Sequence, residues 1–256
     1  MQKQTITQKL ANPTRFMALS GKVLPVLTVA AMAVIGYGLY LVFFDSPPDY
    51  QQGETVRIMY IHVPSAWLAL AGYAFVAISS FGLLVFRHPL ADVSAKAAVP
   101  IGAAFTFLAL VTGSLWGKPM WGTYWAWDAR MTSVLILLFL YLGLMALRNS
   151  LEDEALAGKL TAVLALVGVV MLPIIKFSVD WWNTLHQPST GLGMTLDPSM
   201  RIPLYWMAIG FTLMFFAMHV KGMRNEIMRR RVKALRMSEV ERAQAGQPEA
   251  VTPVAG

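Results

Sequence analysis

Six long apolar runs punctuate the chain: Val23–Phe44, Ser65–Phe86, Ala97–Trp116, Met131–Leu147, Leu160–Ile175 and Ile202–Val220. No Asp, Glu, Lys or Arg falls inside them. A helix needs about 20 apolar residues to cross roughly 30 Å of hydrocarbon, and most of the runs are close to that length. The fourth and fifth are shorter and are expected to extend into their flanks, the fifth past Pro173 toward Val179. The first run follows a basic start (Lys3, Lys9, Arg15, Lys22), a pattern shared with secretory signals, and Ala31-Met32-Ala33 resembles a cleavage site. The apolar stretch continues eleven residues beyond it, which suits an anchor better. The pattern predicts an all-α polytopic membrane protein with six transmembrane helices.

Charge supplies the orientation. Only 14% of residues are charged, against about a quarter in soluble domains. The N-terminus, the 87–96 and 148–159 loops and the C-terminal tail hold sixteen of the twenty-one Lys and Arg. The opposite side holds Arg57, Lys118, Arg130, Lys176 and Arg201. Basic residues collect on the cytoplasmic side of membrane proteins, so both termini are expected in the cytoplasm. The net charge of +7 is then a topology signal that calls for no nucleic acid. Three domains follow: a six-helix membrane domain over 1–220, a basic cytoplasmic surface helix over 221–242, and a disordered tail over 243–256. With no cysteine, disulfides, thiolate metal sites and covalent haem attachment are excluded. No P-loop and no hydrolase constellation is present. Spans free of charged residues weigh against a proton-coupled transporter.

The outer face carries the chemistry. The run Trp116–Arg130, WGKPMWGTYWAWDAR, reads as a short loop between spans and contains Trp116, Trp121, Trp125 and Trp127, half of the eight tryptophans. Trp67, Trp181, Trp182 and Trp206 map to the same side. An aromatic belt would mark both interfaces; a one-sided set fits a flat apolar ligand on the outer face. Of the four histidines, His88 and His219 lie at cytoplasmic ends of spans, while His62 and His186 lie outside, each two residues before a proline. Imidazole is a common axial ligand of haem iron. The two outer histidines read either as ordinary interfacial side chains or as an axial pair. Asp128 reads as a helix N-cap or a functional acid. Arg130 reads as an interfacial side chain or a partner for a carboxylate such as a haem propionate.

The run Trp116–Thr132, with its flanking segments Tyr60–Pro64 and Asp180–His186, resembles the tryptophan-rich WWD signature of haem-handling proteins. Over essentially the whole chain it is similar to the haem exporter protein C (CcmC) family of system I cytochrome c maturation. The resemblance implies a site on the periplasmic face of a bacterial inner membrane. There His62 and His186 would ligate a non-covalent, transient haem b. Trp116, Trp121, Trp125, Trp127, Asp128 and Arg130 would form the platform. The expected activity is delivery of haem to a periplasmic chaperone of the CcmE type, without enzymatic chemistry. The partners would be ABC transporter subunits of the CcmA and CcmB types and a small membrane subunit of the CcmD type. Competing readings are a membrane b-type cytochrome that moves electrons, a haem-free assembly subunit, and a channel for haem itself.

Overall fold

The computed structural model describes residues 12–186 and 196–244. Its helices are α1 (Pro13–Phe44), α2 (Met59–Phe86), α3 (Pro89–Trp121), α4 (Ala129–Asn149), α5 (Glu154–Val167), α6 (Met171–Trp181) and α7 (Pro198–Gln244). A 3-10 turn over Glu54–Ile58 leads into α2, and another over Gly168–Val170 joins α5 to α6. Six helical segments are long and apolar enough to cross a membrane, α5 and α6 counting together as one. The six apolar runs therefore all become helix. Every helix overshoots its run, because polar residues at a helix end cost nothing once they leave the hydrocarbon.

Local chemistry sets several boundaries. Asn12 accepts the backbone N–H of Thr14 and Arg15, and Pro13 opens α1. Asp153 caps α5 through the N–H groups of Ala155 and Leu156. Gly122 ends α3 at φ +75°, a conformation that costs glycine nothing.

The helices pack as an unequal bundle. α2 lies along α3, α1 lies along α7, and α3 also meets α4 and α7. Three buried clusters fill the interior among the described residues: one around Met59, Phe105, Met207, Phe211 and Phe215, one around Tyr73, Val99, Leu137 and Tyr141, and a smaller one of Leu90, Val93, Ala97, Met223 and Ile227. Tyr141 is fully buried and donates its hydroxyl to the Ala69 carbonyl at 2.9 Å. Its ring lies where a side chain on Gly102 would be, and its hydroxyl approaches Gly72. Small residues thus let α2, α3 and α4 close on one ring, a recurrent device where lipid supplies no hydrophobic drive between helices. Large apolar side chains such as Val26, Met32, Phe43, Phe81, Phe107 and Phe139 stay exposed on the outside, as lipid contact allows.

Two findings depart from the expected layout. The basic stretch 221–242 starts no new helix; it continues the sixth span within α7, whose 47 residues extend about 70 Å. Residues 245–256, most of the tail expected to be disordered, lie outside the described residues. The short loops at that end, plain in sequence, adjoin a buried ionic network. Asp92 and Glu226 are 8% and 7% exposed. Asp92 takes a two-pronged contact from Arg148 at 2.6 and 2.8 Å and another from Arg230. Glu226 takes Lys96 at 3.0 Å and Arg229 and Arg230 at 2.7 Å. Glu154 binds Arg229 and Lys233 at 3.1 Å. Carboxylates this buried must be paired to offset desolvation, and the pairing ties α3, α4, α5 and α7 together. His219, expected at a span end, is buried against Phe75 and Phe215, with its Nε2 3.3 Å from the Ser94 hydroxyl.

Candidate functional site

The bundle end opposite this network gathers the sequence-predicted residues. Asp92 and Trp116 stand on the same helix, about 36 Å apart along its axis. The Trp-rich run is only partly a loop. Trp116 and Trp121 belong to the last turns of α3, and residues 122–128 alone form the turn into α4. Gly117 makes this possible, since a Cβ there would meet the Trp121 ring at 2.9 Å. His62, expected in a loop, stands near the start of α2. Pro64 is the sixth residue of that helix and donates no N–H to the Tyr60 carbonyl four residues back.

The four tryptophans do not make one surface. Trp116 packs edge-on against His62, with ring centroids 5.7 Å apart, and its indole N–H donates to Gln52 Oε1 at 2.7 Å. Trp121 packs edge-on against His186 at 4.8 Å. Trp125 and Trp127 pack on each other at 5.4 Å. Each aromatic contact of this kind adds about 0.5–1.5 kcal/mol beyond burial. Trp127 is 77% exposed and Trp181 and Trp182 more than half exposed. Trp125 Nε1 is buried and has no hydrogen-bond partner among the described residues. Lys118 donates to the Gly122 carbonyl at 2.9 Å and lies over the Tyr124 ring.

Each imidazole is fixed through Nδ1. His62 Nδ1 lies 3.0 Å from the Ala109 carbonyl oxygen and 3.1 Å from the Thr112 hydroxyl. A carbonyl only accepts, so Nδ1 carries a proton, and in the neutral ring Nε2 then keeps its lone pair. Gly113 gives the ring room, for a Cβ there would stand 2.9 Å from Cε1. His186 Nδ1 lies 2.9 Å from Asp128 Oδ2, which assigns the same tautomer. Neither Nε2 has a hydrogen-bond partner among the described residues. Trp116 and Trp121, the aromatic neighbours of the two rings, are five residues apart on α3, about 7.5 Å along the axis.

Asp128 holds this arrangement. Its Oδ1 accepts the Met131 N–H at 2.8 Å and caps α4, as the sequence reading allowed. Its Oδ2 accepts from both Thr184 (2.5 Å) and His186. Burial pushes the carboxyl upward, but the bonds from Thr184, Met131 and His186 outweigh it and leave Asp128 below its ordinary value. Burial lowers His186, and the Asp128 bond and charge only partly oppose that, so the ring stays neutral at pH 7. Arg130 reaches Ser178 Oγ at 3.3 Å and the Ile175 and Lys176 carbonyls at 3.5 and 3.4 Å, tying α4 to α6.

Sequence reading overlooked Gln52, Ala109, Thr112, Gly113 and Thr184. Thr184 alone carried a local signal, standing two residues before His186 where a hydroxyl can take the His186 N–H. The others act across helices.

A family profile described as Heme exporter protein C matches residues 6–238. A Heme exporter protein C of Bradyrhizobium diazoefficiens is 61% identical over 91% of this chain and 89% of its own length. That of Escherichia coli K12 is 49% identical over 86% and 90%. A putative cytochrome c biosynthesis ccmC-like mitochondrial protein of Marchantia polymorpha is 43% identical over 83% and 92%.

Proposed function

The chain belongs to the Heme exporter protein C family, and on that footing we propose that it handles haem in cytochrome c biogenesis, holding it on the Nε2 atoms of His62 and His186. One observation carries the reading: two neutral imidazoles, both anchored through Nδ1 and both leaving Nε2 without a partner among the described residues, stand against the same Trp-rich helix end. Metal-ligating histidines commonly give their second nitrogen to a carbonyl or carboxylate in this way.

The donor set suits haem better than a bare ion. Among the described residues no group of three or more His, Cys, Asp or Glu could hold a metal. A porphyrin brings four nitrogen donors of its own and asks the protein for axial ligands alone. The Trp125 N–H, buried and without an acceptor among the described residues, suits a propionate oxygen. The exposed rings of Trp127, Trp181 and Trp182 suit either a macrocycle edge or a protein surface.

On this reading the His-bearing end faces the periplasm and both termini lie in the cytoplasm, supported by the one-sided Lys and Arg distribution. The protein acts as a carrier, without enzymatic chemistry, and passes non-covalent haem b to a periplasmic chaperone of the CcmE type. ATP-driven steps fall to CcmA- and CcmB-type subunits, with a CcmD-type subunit alongside. The two ligands differ in mounting. His62 is set in a helix and braced by α3, whereas His186 stands beyond the end of α6, held by side chains. His186 is therefore the ligand that yields first.

The test is the visible absorption spectrum of the detergent-purified protein beside His62→Ala and His186→Ala. A six-coordinate, low-spin signal that is lost or shifted in both variants supports the reading. Haem with an unchanged spectrum in both variants moves the ligands elsewhere. A wild type that binds no haem leaves a protein-docking role for the Trp-rich end.

A further inference from the structure

Thr184 makes more contacts than a loop residue needs. Its hydroxyl donates to Asp128 Oδ2 at 2.5 Å, accepts the His186 backbone N–H at 3.1 Å and lies 3.3 Å from His186 Nδ1. The side chain is half-buried, so it adds little apolar packing, and its neighbours Trp182, Asn183 and Leu185 are exposed. The segment that carries His186 has left the α6 helix. Beside the Trp121 ring packed on it, the imidazole is held by the closed hydrogen-bonded set Thr184–Asp128–His186, spanning 56 to 58 residues of chain.

Resting on the haem reading above, we propose that Thr184 is the positioning residue for the His186 ligand. Thr184 has one hydroxyl proton, and an ionised carboxylate can only accept. The hydroxyl therefore donates to Oδ2 and has only lone pairs to offer Nδ1. With Asp128 Oδ2 and the Thr184 oxygen both accepting toward it, Nδ1 keeps its proton, and in the neutral ring Nε2 keeps its lone pair. Thr184 and Asp128 together thus exclude the tautomer that cannot ligate. The backbone N–H that Thr184 accepts sets the ring's distance from α4 through a two-residue turn. A second consequence concerns strength. Oδ2 is shared by two donors, so it pulls less on the imidazole proton than an unshared carboxylate would. That tempers the basicity of Nε2 and suits a ligand that must let go.

The experiment compares Thr184→Val, which keeps the shape and removes the hydroxyl, with Thr184→Ser, which restores it, at equal membrane insertion. Each is titrated with haem and read at the low-spin bands, with and without added imidazole. Thr184→Val is expected to lose about 10–100-fold in haem affinity and to show a five-coordinate, high-spin fraction that imidazole converts back to low spin. Thr184→Ser should bind as wild type does. If Thr184→Val inserts poorly, Thr184→Ala supplies the same comparison. A hydroxyl-free variant with the wild-type spectrum and affinity overturns the proposal, as does a high-spin fraction in Thr184→Ser equal to that of Thr184→Val. Failure of the haem reading itself is visible separately, as a wild-type spectrum that does not change in His186→Ala.

Discussion

Replacing Asp128 with Asn separates its two jobs. Asn caps helices as well as Asp does, so an amide oxygen turned toward the Met131 N–H keeps α4 capped. The amide nitrogen then stands where Oδ2 accepted from Thr184 and His186. A donor facing Nδ1 favours the tautomer with the proton on Nε2, which cannot ligate. Flipping the amide restores an acceptor to the imidazole but uncaps α4 at about 1 kcal/mol, and the restored bond has lost its charge assistance. Hydrogen bonds to a charged group are worth about 1.5–3 kcal/mol, the same range as the 10–100-fold affinity loss typical when a ligand's outer partner is removed. Asp128→Asn should therefore bind haem about 10–100-fold more weakly, while the haem-free protein melts within about 2–4 °C of wild type. Asp128→Ala loses the cap as well and should fall further on both measures. Haem titration at the low-spin bands, paired with thermal unfolding in detergent, checks both expectations. Wild-type affinity in Asp128→Asn would refute the tautomer argument. A variant that fails to insert would make Asp128 a structural residue only.

Gly113→Ala places a methyl 2.9 Å from His62 Cε1; the ring must turn, so the low-spin bands should shift or broaden with little change in insertion, read by absorption spectroscopy. Arg148→Met leaves Asp92 buried with Arg230 still paired to it; losing a hydrogen bond to a charged group costs about 1.5–3 kcal/mol, so unfolding temperature and yield should drop. Haem that does bind to Arg148→Met should keep its wild-type spectrum, because the site is about 36 Å away. Acid should loosen the His186 clamp in the haem-free protein. Both His186 and Asp128 are held below their ordinary values, so their contribution is complete at neutral pH. It is lost in two stages, first as pH falls below about 6.5 and the histidine begins to charge, then in the carboxylate range. Thermal unfolding from pH 8 to pH 4 reads this, and an increase in stability on acidification would contradict it.

Local chemistry was legible wherever neighbours in the chain decide it. Asp128 capping α4 is such a case, since a cap bonds to the N–H three residues on. The Trp-rich run read as a loop because it lies between two apolar runs, yet α3 carries on to Trp121, and His62, placed outside its span, stands near the start of α2. Arg130 read either as an interfacial side chain or as a carboxylate partner; in the fold its guanidinium meets α6 carbonyls and Ser178, contacts made across 45 to 48 residues of chain. The ionic network could not be read at all. Asp92 and Arg230 are 138 residues apart, and each looks like an ordinary charge at the end of a span.

The sequence by itself determined six membrane crossings, the uneven placement of Lys and Arg, and the supply of imidazole and indole in the segments at one bundle end. The reason is that hydrocarbon thickness imposes a run length that any reader of the chain can count. The tertiary structure decided which histidine nitrogen is free. That depends on an Ala109 carbonyl 47 residues from His62 and an Asp128 carboxylate 58 residues from His186, and a tautomer is set only when a partner arrives within hydrogen-bond distance.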